Sequence, residues 1–432
     1  MPTIESVNIE GFWGNHDVFL QFDPKVNFLV GVNGSGKTTA IDILASALQC
    51  DEDALERLPF ERIEIVLFDK ETRRKPSIVV ERDLSDEGGF ASIIYKIKES
   101  AKSTAEETKI FSPFDLRERA LHTRRDPRTG QIIRRRIAHE YGYRDVRIEL
   151  SKLIKMNWLS INRVSSVRSG PERSSNETHV DRKLREISDR LERYFSELSS
   201  NANQRARDFQ RKLFRSLIAD DSSFSLDNDL GGMNLELEKS ALIDIFERFN
   251  IPHDEYRKDA DKFFDKLQII QDDKGKNTYS PADLMVMINA HKIHALVGEW
   301  NDAVKAEKGI LRPRDAFVEI LDAMFHRKVA EVMPSGEIVF HSRSGKTLRI
   351  NELSSGEKQL FIILAEALLQ KDAEWTYIAD EPELSLHVDW QEVLVDNLRA
   401  LNPNSQVIFA THSPDIISHY SDQVIDMEKV LG

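Results

Sequence analysis

The stretch Gly31-Val32-Asn33-Gly34-Ser35-Gly36-Lys37-Thr38 fits the pattern G-x-x-x-x-G-K-[ST] at every position. Gly34 and Gly36 let backbone N–H groups approach phosphate oxygens, and the following helix N-terminus adds favourable partial charge. Lys37 is expected to reach the β- and γ-phosphates and Thr38 to bind Mg²⁺ through its hydroxyl. Asn33, Ser35 and Thr39 belong to the same cradle. Far downstream, Asp380-Glu381 ends the apolar run Tyr377–Ala379. A carboxylate at the C-terminal edge of such a strand sits beside the phosphate loop, which makes Asp380 a second Mg²⁺ ligand, held through water. Glu381 is expected to polarise an attacking water. Glu383 is close enough to blur that choice, and the order Asp-Glu-Pro favours Glu381. In Ser354-Ser355-Gly356-Glu357 the serines and the Gly356 N–H open a helix. They can serve as an ordinary N-cap, as a phosphate grip, or as both.

The elements around these residues are legible from periodicity. Residues 3–30 read as strands, and Val26-Asn27-Phe28-Leu29-Val30 is a buried run feeding directly into Gly31. Ile41, Leu44 and Leu48 then recur at helical spacing, so strand, glycine loop and helix follow in the required order. Ile63–Phe68 and Ile78–Val80 are further strands, and residues 83–145 read as polar and irregular. Leu184, Ile187, Leu191, Tyr194 and Leu198 follow the spacing of an a/d seam, either helix-bundle core or a short coiled-coil arm. Helices are expected near Ala241–Phe249, Ala260–Ile270, Pro281–Ala306 and Pro313–Lys328. Strands 337–340 and 347–350 form a hairpin around Arg343-Ser344-Gly345-Lys346 that delivers the serine-glycine loop. The fold class is therefore α/β, a mixed sheet with a phosphate-loop core completed by strands from both chain ends. An N-terminal lobe (1–170) and a C-terminal lobe (329–432) flank a helical insertion (171–328).

Composition narrows the class. Hydrophobic residues make up 40% and charged residues 31%, and no apolar run is long enough to span a membrane. The start, Met1-Pro2-Thr3-Ile4-Glu5-Ser6, lacks the pattern of a signal peptide. A single cysteine, Cys50, excludes an intrachain disulfide and suits a cytoplasmic location. The net charge of −13 argues against a surface that is a nucleic-acid glove throughout. Eight arginines nevertheless crowd residues 117–136, and Arg124–Arg136 reads as a hairpin around Asp126-Pro127-Arg128-Thr129-Gly130. It is either a solvated loop or a contact for nucleic acid or an acidic protein.

The order phosphate loop, Leu-Ser-Ser-Gly-Glu, Asp-Glu, His resembles the ATP-binding-cassette ATPases. The resemblance implies ATP and Mg²⁺ as ligands. It makes His412 of Thr411-His412-Ser413 the switch histidine that senses the γ-phosphate. In that family the serine-glycine element caps ATP held by a second copy, so Ser354, Ser355, Gly356 and Glu357 imply a homo-oligomer, at least a dimer, with a larger ring left open. Ser385-Leu386-His387 resembles the loop that crosses between paired heads, with Val388 where such relatives carry proline. The family's glutamine-bearing loop is unassigned, with Gln131 and the segment near Arg163 as candidates.

The long insertion argues against transporter subunits, and the split head is similar to the RecF and SMC group. The strings Leu-Ser-Ser-Gly-Glu-Lys-Gln, Asp-Glu-Pro-Glu-Leu-Ser-Leu-His and Thr-His-Ser-Pro resemble those of phage-defence ATPases of the overcoming-lysogenisation-defect, PARIS and Septu types. The first of these continue past the histidine into a Toprim nuclease domain, whereas this sequence ends at Gly432. The expectation is a stand-alone ATPase subunit, PARIS-like first and Septu-like second, that controls a separate effector, with a nuclease as the expected class. The rival readings are a RecF- or SMC-like ATPase acting directly on DNA and a nucleotide-gated scaffold with negligible turnover.

Overall fold

A computed structural model describes residues 2–83, 92–100, 107–111, 134–159, 179–216, 233–272 and 279–431. The chain divides into two compact units, Met1–Glu192 with Ala316–Gly432, and Arg193–Asp315. The first is built from both chain ends. Strands β1 (Thr3–Phe12) and β2 (His16–Gln21) pair antiparallel. Strand β3 (Val26–Val30) then feeds the glycine loop and helix α1 (Lys37–Gln49), followed by the single turn α2 (Glu52–Leu55). Next come β4 (Arg62–Phe68), β5 (Ser77–Asp83), β6 (Ser92–Lys98) and β7 (Lys109–Phe111). They join the first two strands in an antiparallel sheet of order β2-β1-β4-β5-β6-β7. Helix α3 (Arg134–Leu153) and strand β8 (Met156–Leu159) complete this part of the chain.

The described parts of 83–145, residues 92–100, 107–111 and 134–145, are thus more regular than their polarity suggests. Ile93, Tyr95 and Ile97 are fully buried on alternate positions of β6, while Ile94 and Lys96 lie between them and Lys98 follows. This alternation is the period-two pattern of a half-buried strand, set among polar residues on either side. The hairpin expected at Arg124–Arg136 is corrected at its end, because Arg134, Arg135 and Arg136 open α3. Arg124, Arg125, Arg128 and Gln131 lie outside the described residues, as do Arg163 and the expected loop 165–178.

The C-terminal part supplies β9 (Lys328–Val332), β10 (Ile338–Ser342) and β11 (Thr347–Arg349), an antiparallel sheet that contains the expected hairpin. A 3-10 turn leads into the helix Ser355–Leu368, which is α8 in chain order because four helices intervene. Those four are α4 (His179–Ser216), α5 (Leu235–Arg248), α6 (His253–Asp272) and α7 (Pro281–Met324). Strand β12 (Thr376–Asp380), helix α9 (Val388–Leu401), strand β13 (Gln406–Ala410), the short turn α10 (Pro414–Ile417), β14 (Val424–Asp426) and α11 (Met427–Leu431) follow. The central sheet is wholly parallel, of order β14-β3-β13-β12-β8. Its strands come from both chain ends, as expected for a split head. Gln406, fully buried, joins the two parts: its Oε1 accepts from the Ile4 N–H at 2.8 Å and its Nε2 donates to the Ile4 and Asp23 carbonyls.

Arg193–Asp315 is a helical unit with its own core. Phe209, Ile245 and Val297 are buried together from α4, α5 and α7, with Leu213 and Trp300 against them. The seam residues Leu184, Ile187, Leu191, Tyr194 and Leu198 are all buried along α4. The compact unit is also narrower than residues 171–328, since α4 and α7 each continue across its boundaries. The break expected before Pro313 is absent, because α7 runs straight through it. A mid-helix proline costs about 3 kcal/mol. Phe317, Leu321 and Met324 follow it at helical spacing and are at most 3% exposed. Burying each contributes roughly 1.5–3 kcal/mol, which outweighs the proline.

Candidate functional site

Strand β3 is almost entirely buried and ends at Gly31. Gly34 (φ +87°) and Gly36 (φ +83°) adopt left-handed backbone that favours glycine. A Cβ on Gly36 would also lie 2.9 Å from the Phe12 ring and 3.2 Å from Trp13. A Cβ on Gly34 would meet nothing, so that peptide faces open space. Helix α1 starts with Gly36 as its N-cap and has no side-chain cap bond. Its first N–H groups are left for an anion. Asn33 is exposed, Thr38 and Thr39 are half-buried, and Ser35 is buried, with no hydrogen-bond partner for its Oγ among the described residues.

Lys37 is 4% exposed, and its amine donates to the Gly31 carbonyl at 2.8 Å and the Val32 carbonyl at 3.1 Å. Burial pulls its pKa down, against the opposing charges of Glu381, Asp380, Glu428 and Glu383. An ammonium under the influence of four carboxylates and bonded to the carbonyls of its own loop is well prepared for phosphate. Thr38 Oγ1 donates to Asp380 Oδ1 at 3.1 Å, which brings the two expected Mg²⁺ ligands together. One hydroxyl and one carboxylate suit Mg²⁺, which usually keeps waters and substrate phosphates as its remaining ligands. Among the described residues no cluster of three or more His, Cys, Asp or Glu forms a protein-only metal cage.

Glu381 lies just past β12 in left-handed backbone (φ +48°), where its N–H donates to the Ala410 carbonyl at 2.8 Å. A non-glycine residue held there is strained, and such strain concentrates at functional sites. The bond sets Glu381 beside the end of β13, with His412 Nε2 at 4.0 Å from Glu381 Oε1. Glu383 is engaged differently: its Oε1 accepts from Thr411 Oγ1 at 2.6 Å and from the backbone N–H groups of His412 and Ser413. Of the three acids, Glu383 is thus tied to the histidine loop, and Glu381 faces the histidine ring.

Ser354 caps α8 in a reciprocal box, accepting from the Glu357 N–H at 3.4 Å while Glu357 Oε2 accepts from the Ser354 N–H at 2.8 Å. Glu357 also pairs with Lys328 at 2.5 Å. Ser354 and Ser355 are exposed, whereas Gly356 is buried. A Cβ on Gly356 would lie 2.4 Å from the Ser385 carbonyl oxygen, so no larger residue fits under the crossing loop. Among the described residues no hydrogen bond joins Ser354, Ser355 or Gly356 to the phosphate loop.

Two neighbours of the site escaped the sequence reading. Trp13 stands 42% exposed beside Gly36, its ring 4.8 Å from that of Phe12, and offers a flat apolar face at the loop. Its signal was a tryptophan between two glycines at a strand turn. Glu428 of α11 accepts from the Val32 N–H at 2.9 Å. That contact spans nearly the whole chain and left no local pattern.

A family model described as an AAA ATPase domain matches residues 3–417. The chain belongs to this family. The family agrees with the nucleotide chemistry read from the motifs. A retron Vc95 probable ATPase from Vibrio cholerae serotype O1 biovar El Tor is 30% identical over 94 residues, 19% of this chain. The chain spans 18% of the length of that relative. Among solved structures, an Smc head domain with an extended coiled coil, bound to the C-terminal domain of ScpA, from Pyrococcus furiosus is 14% identical. It is matched over 97% of this chain and 92% of that one, with a TM-score of 0.37. An SMC head domain from Thermotoga maritima is 12% identical over 96% and 91% of the two chains, with a TM-score of 0.33. Among the described residues no helix is long and apolar enough to cross a membrane.

Proposed function

We propose that this ATPase-family chain is an ATP-hydrolysing head of the ATP-binding-cassette type that works in pairs. The observation that carries the reading is the convergence of Lys37, the Thr38–Asp380 pair and the Glu381–His412 pair on one loop end of the parallel sheet. Residues 33–39 cradle the phosphates, and the exposed face of Trp13 stacks on the base. Thr38 and Asp380 hold Mg²⁺, which when bound neutralises charge on the phosphate oxygens. Glu381 orients and deprotonates the attacking water, and His412 contacts the γ-phosphate. Ser354, Ser355 and Gly356 cap the nucleotide of a partner head, consistent with the exposure of both serines.

At the level of the cell we propose a subunit of a bacterial antiviral system that controls a separate effector, for which a nuclease is the expected class. The motif strings and the similarity to a retron's probable ATPase support this. The test of the chemistry is Mg²⁺-dependent phosphate release from ATP by the wild type, Lys37→Ala and Glu381→Gln. Glu381→Gln should still bind ATP yet lose about 10²–10⁴ in rate, the usual effect of losing a positioned base. Normal turnover in Glu381→Gln, with a dead Asp380→Asn or Glu383→Gln, would show that the base is misassigned.

A further inference from the structure

The acid two residues after the proposed base has no role in that chemistry, yet one of its oxygens accepts three hydrogen bonds. We propose that Glu383 is the positioning residue of the histidine switch. It fixes His412 relative to Glu381 and ties that position to the segment that leads into the crossing loop Ser385-Leu386-His387. The proposal deepens the ATPase reading and rests on it.

Strand β13 ends at Ala410, and Thr411 still donates its N–H to Leu29. Beyond that point the sheet offers the next N–H groups nothing. Glu383 Oε1 takes both, His412 N at 2.9 Å and Ser413 N at 3.2 Å, together with the Thr411 hydroxyl at 2.6 Å. Bonds to a carboxylate are roughly twice as strong as neutral ones, so this oxygen is the main anchor of the loop that carries the histidine. The loop is closed from its other side. Thr411 Oγ1 accepts a second bond from Ser413 N at 2.9 Å, and Ser413 Oγ donates to Gln391 Oε1 at 2.6 Å. Gln391 Nε2 donates to the Leu386 carbonyl at 3.0 Å, and the Leu386 N–H returns to the Glu383 carbonyl at 2.9 Å.

The bonds form a ring from Glu383 through Thr411, Ser413, Gln391 and Leu386 back to Glu383. On its outer side the Ser385 carbonyl rests on Gly356, the glycine of the serine-glycine element. Through its backbone N–H, His412 is thus linked to the crossing loop and, by the contact of Ser385 with Gly356, to the start of α8. Glu383 Oε2 is buried and has no hydrogen-bond partner among the described residues. An amide at this position would keep one acceptor but bury an NH₂ group with nothing to receive it, so glutamine is not a neutral replacement.

The test compares wild type, Glu383→Gln, Thr411→Val and the double variant by steady-state hydrolysis of Mg·ATP. Each single variant should lower kcat by about tenfold or more and change KM by less than about threefold, because the phosphate cradle is untouched. The double variant should be no slower than the slower single one, as expected for two residues of one network. A Glu383→Gln kcat within about twofold of wild type, or a rise in KM that accounts for the loss, overturns the proposal. Fully additive losses overturn it too. A wild type without turnover would overturn the ATPase reading itself. Turnover that needs Lys37 but survives Glu383→Gln would overturn this proposal alone. A readout independent of turnover is the His412 imidazole NMR resonance, assigned with His412→Gln. It should shift or broaden in nucleotide-free Glu383→Gln, and an unchanged resonance overturns the proposal.

Discussion

At Glu357 burial and hydrogen bonding pull one carboxyl in opposite directions. Burial favours the neutral acid, but the bond from Lys328 and the bonds from the Ser354 backbone and hydroxyl outweigh it, and the pKa lies below the ordinary 4.5. A carboxylate with a depressed folded pKa stabilises the fold fully above its unfolded value. That stabilisation is lost as pH falls through the lower folded value. Glu357→Gln should therefore destabilise the protein by about 1 kcal/mol at neutral pH, the usual size of a cap. The gap should begin to narrow below pH 4.5, the ordinary value for this group, and close only as pH falls through the lower folded value. Denaturant melts of both proteins at pH 7 and near pH 4 measure it. A gap independent of pH would mean that the ionised cap contributes nothing.

At the scale of elements, helix α8 is gripped by charges from the start of α4. Glu366, 5% exposed in its side chain, meets Lys183 at 2.8 Å and Arg190 at 3.3 Å and accepts from Asn157 at 3.0 Å. Lys358, one turn into the same helix, pairs with Asp181 at 2.8 Å. Removing one partner of a buried pair costs about 3–5 kcal/mol. Lys183 and Arg190 are about a third exposed, and solvent screening reduces that to roughly 1–3 kcal/mol for Lys183→Ala with Arg190→Ala. Urea unfolding of the double variant is the measurement, and a change below about 0.5 kcal/mol would show the pairs to be dispensable.

Much of this element layer was legible in the sequence, and the reasons differ by element. Phe361, Leu364 and Leu368 recur at helical spacing, and Val26–Val30 is an uninterrupted apolar run, so α8 and β3 were read from local pattern alone. The phosphate loop was equally plain, because its glycines answer to local backbone geometry at Gly34 and Gly36. The grip on Glu366 was not legible, since its partners Lys183 and Arg190 lie more than 170 residues away. Gln406 and Glu428 were missed for the same reason: each acts on a partner near the opposite end of the chain. At α3 the three consecutive arginines looked like a solvated turn, although arginine is a good helix former.

At the scale of the whole molecule the open question is what meets Ser354 and Ser355. Both are exposed at the N-terminus of α8 and make no hydrogen bond to the phosphate loop of their own chain among the described residues. A two-fold pair of heads would give each phosphate loop the serines of its partner, since a C2 interface uses the same patches twice. Complementation tests this directly. Lys37→Ala removes the cradle and leaves the serines. Ser355→Arg leaves the cradle and blocks the partner's nucleotide, and because Ser355 is exposed the fold should tolerate it. Each variant alone should be inactive, since every pair it forms has two defective sites. Mixed in equal amounts, half of the pairs contain one of each. In such a pair the intact cradle of the Ser355→Arg chain faces the intact serines of the Lys37→Ala chain, and the other site carries both defects. Activity should then recover to about a quarter of wild type, half of the pairs with one of two sites. Size-exclusion chromatography with ATP, in a Glu381→Gln background that slows hydrolysis, should show the pair itself. Near-normal activity in Ser355→Arg alone would refute the shared site, and no recovery on mixing would refute the two-fold pairing.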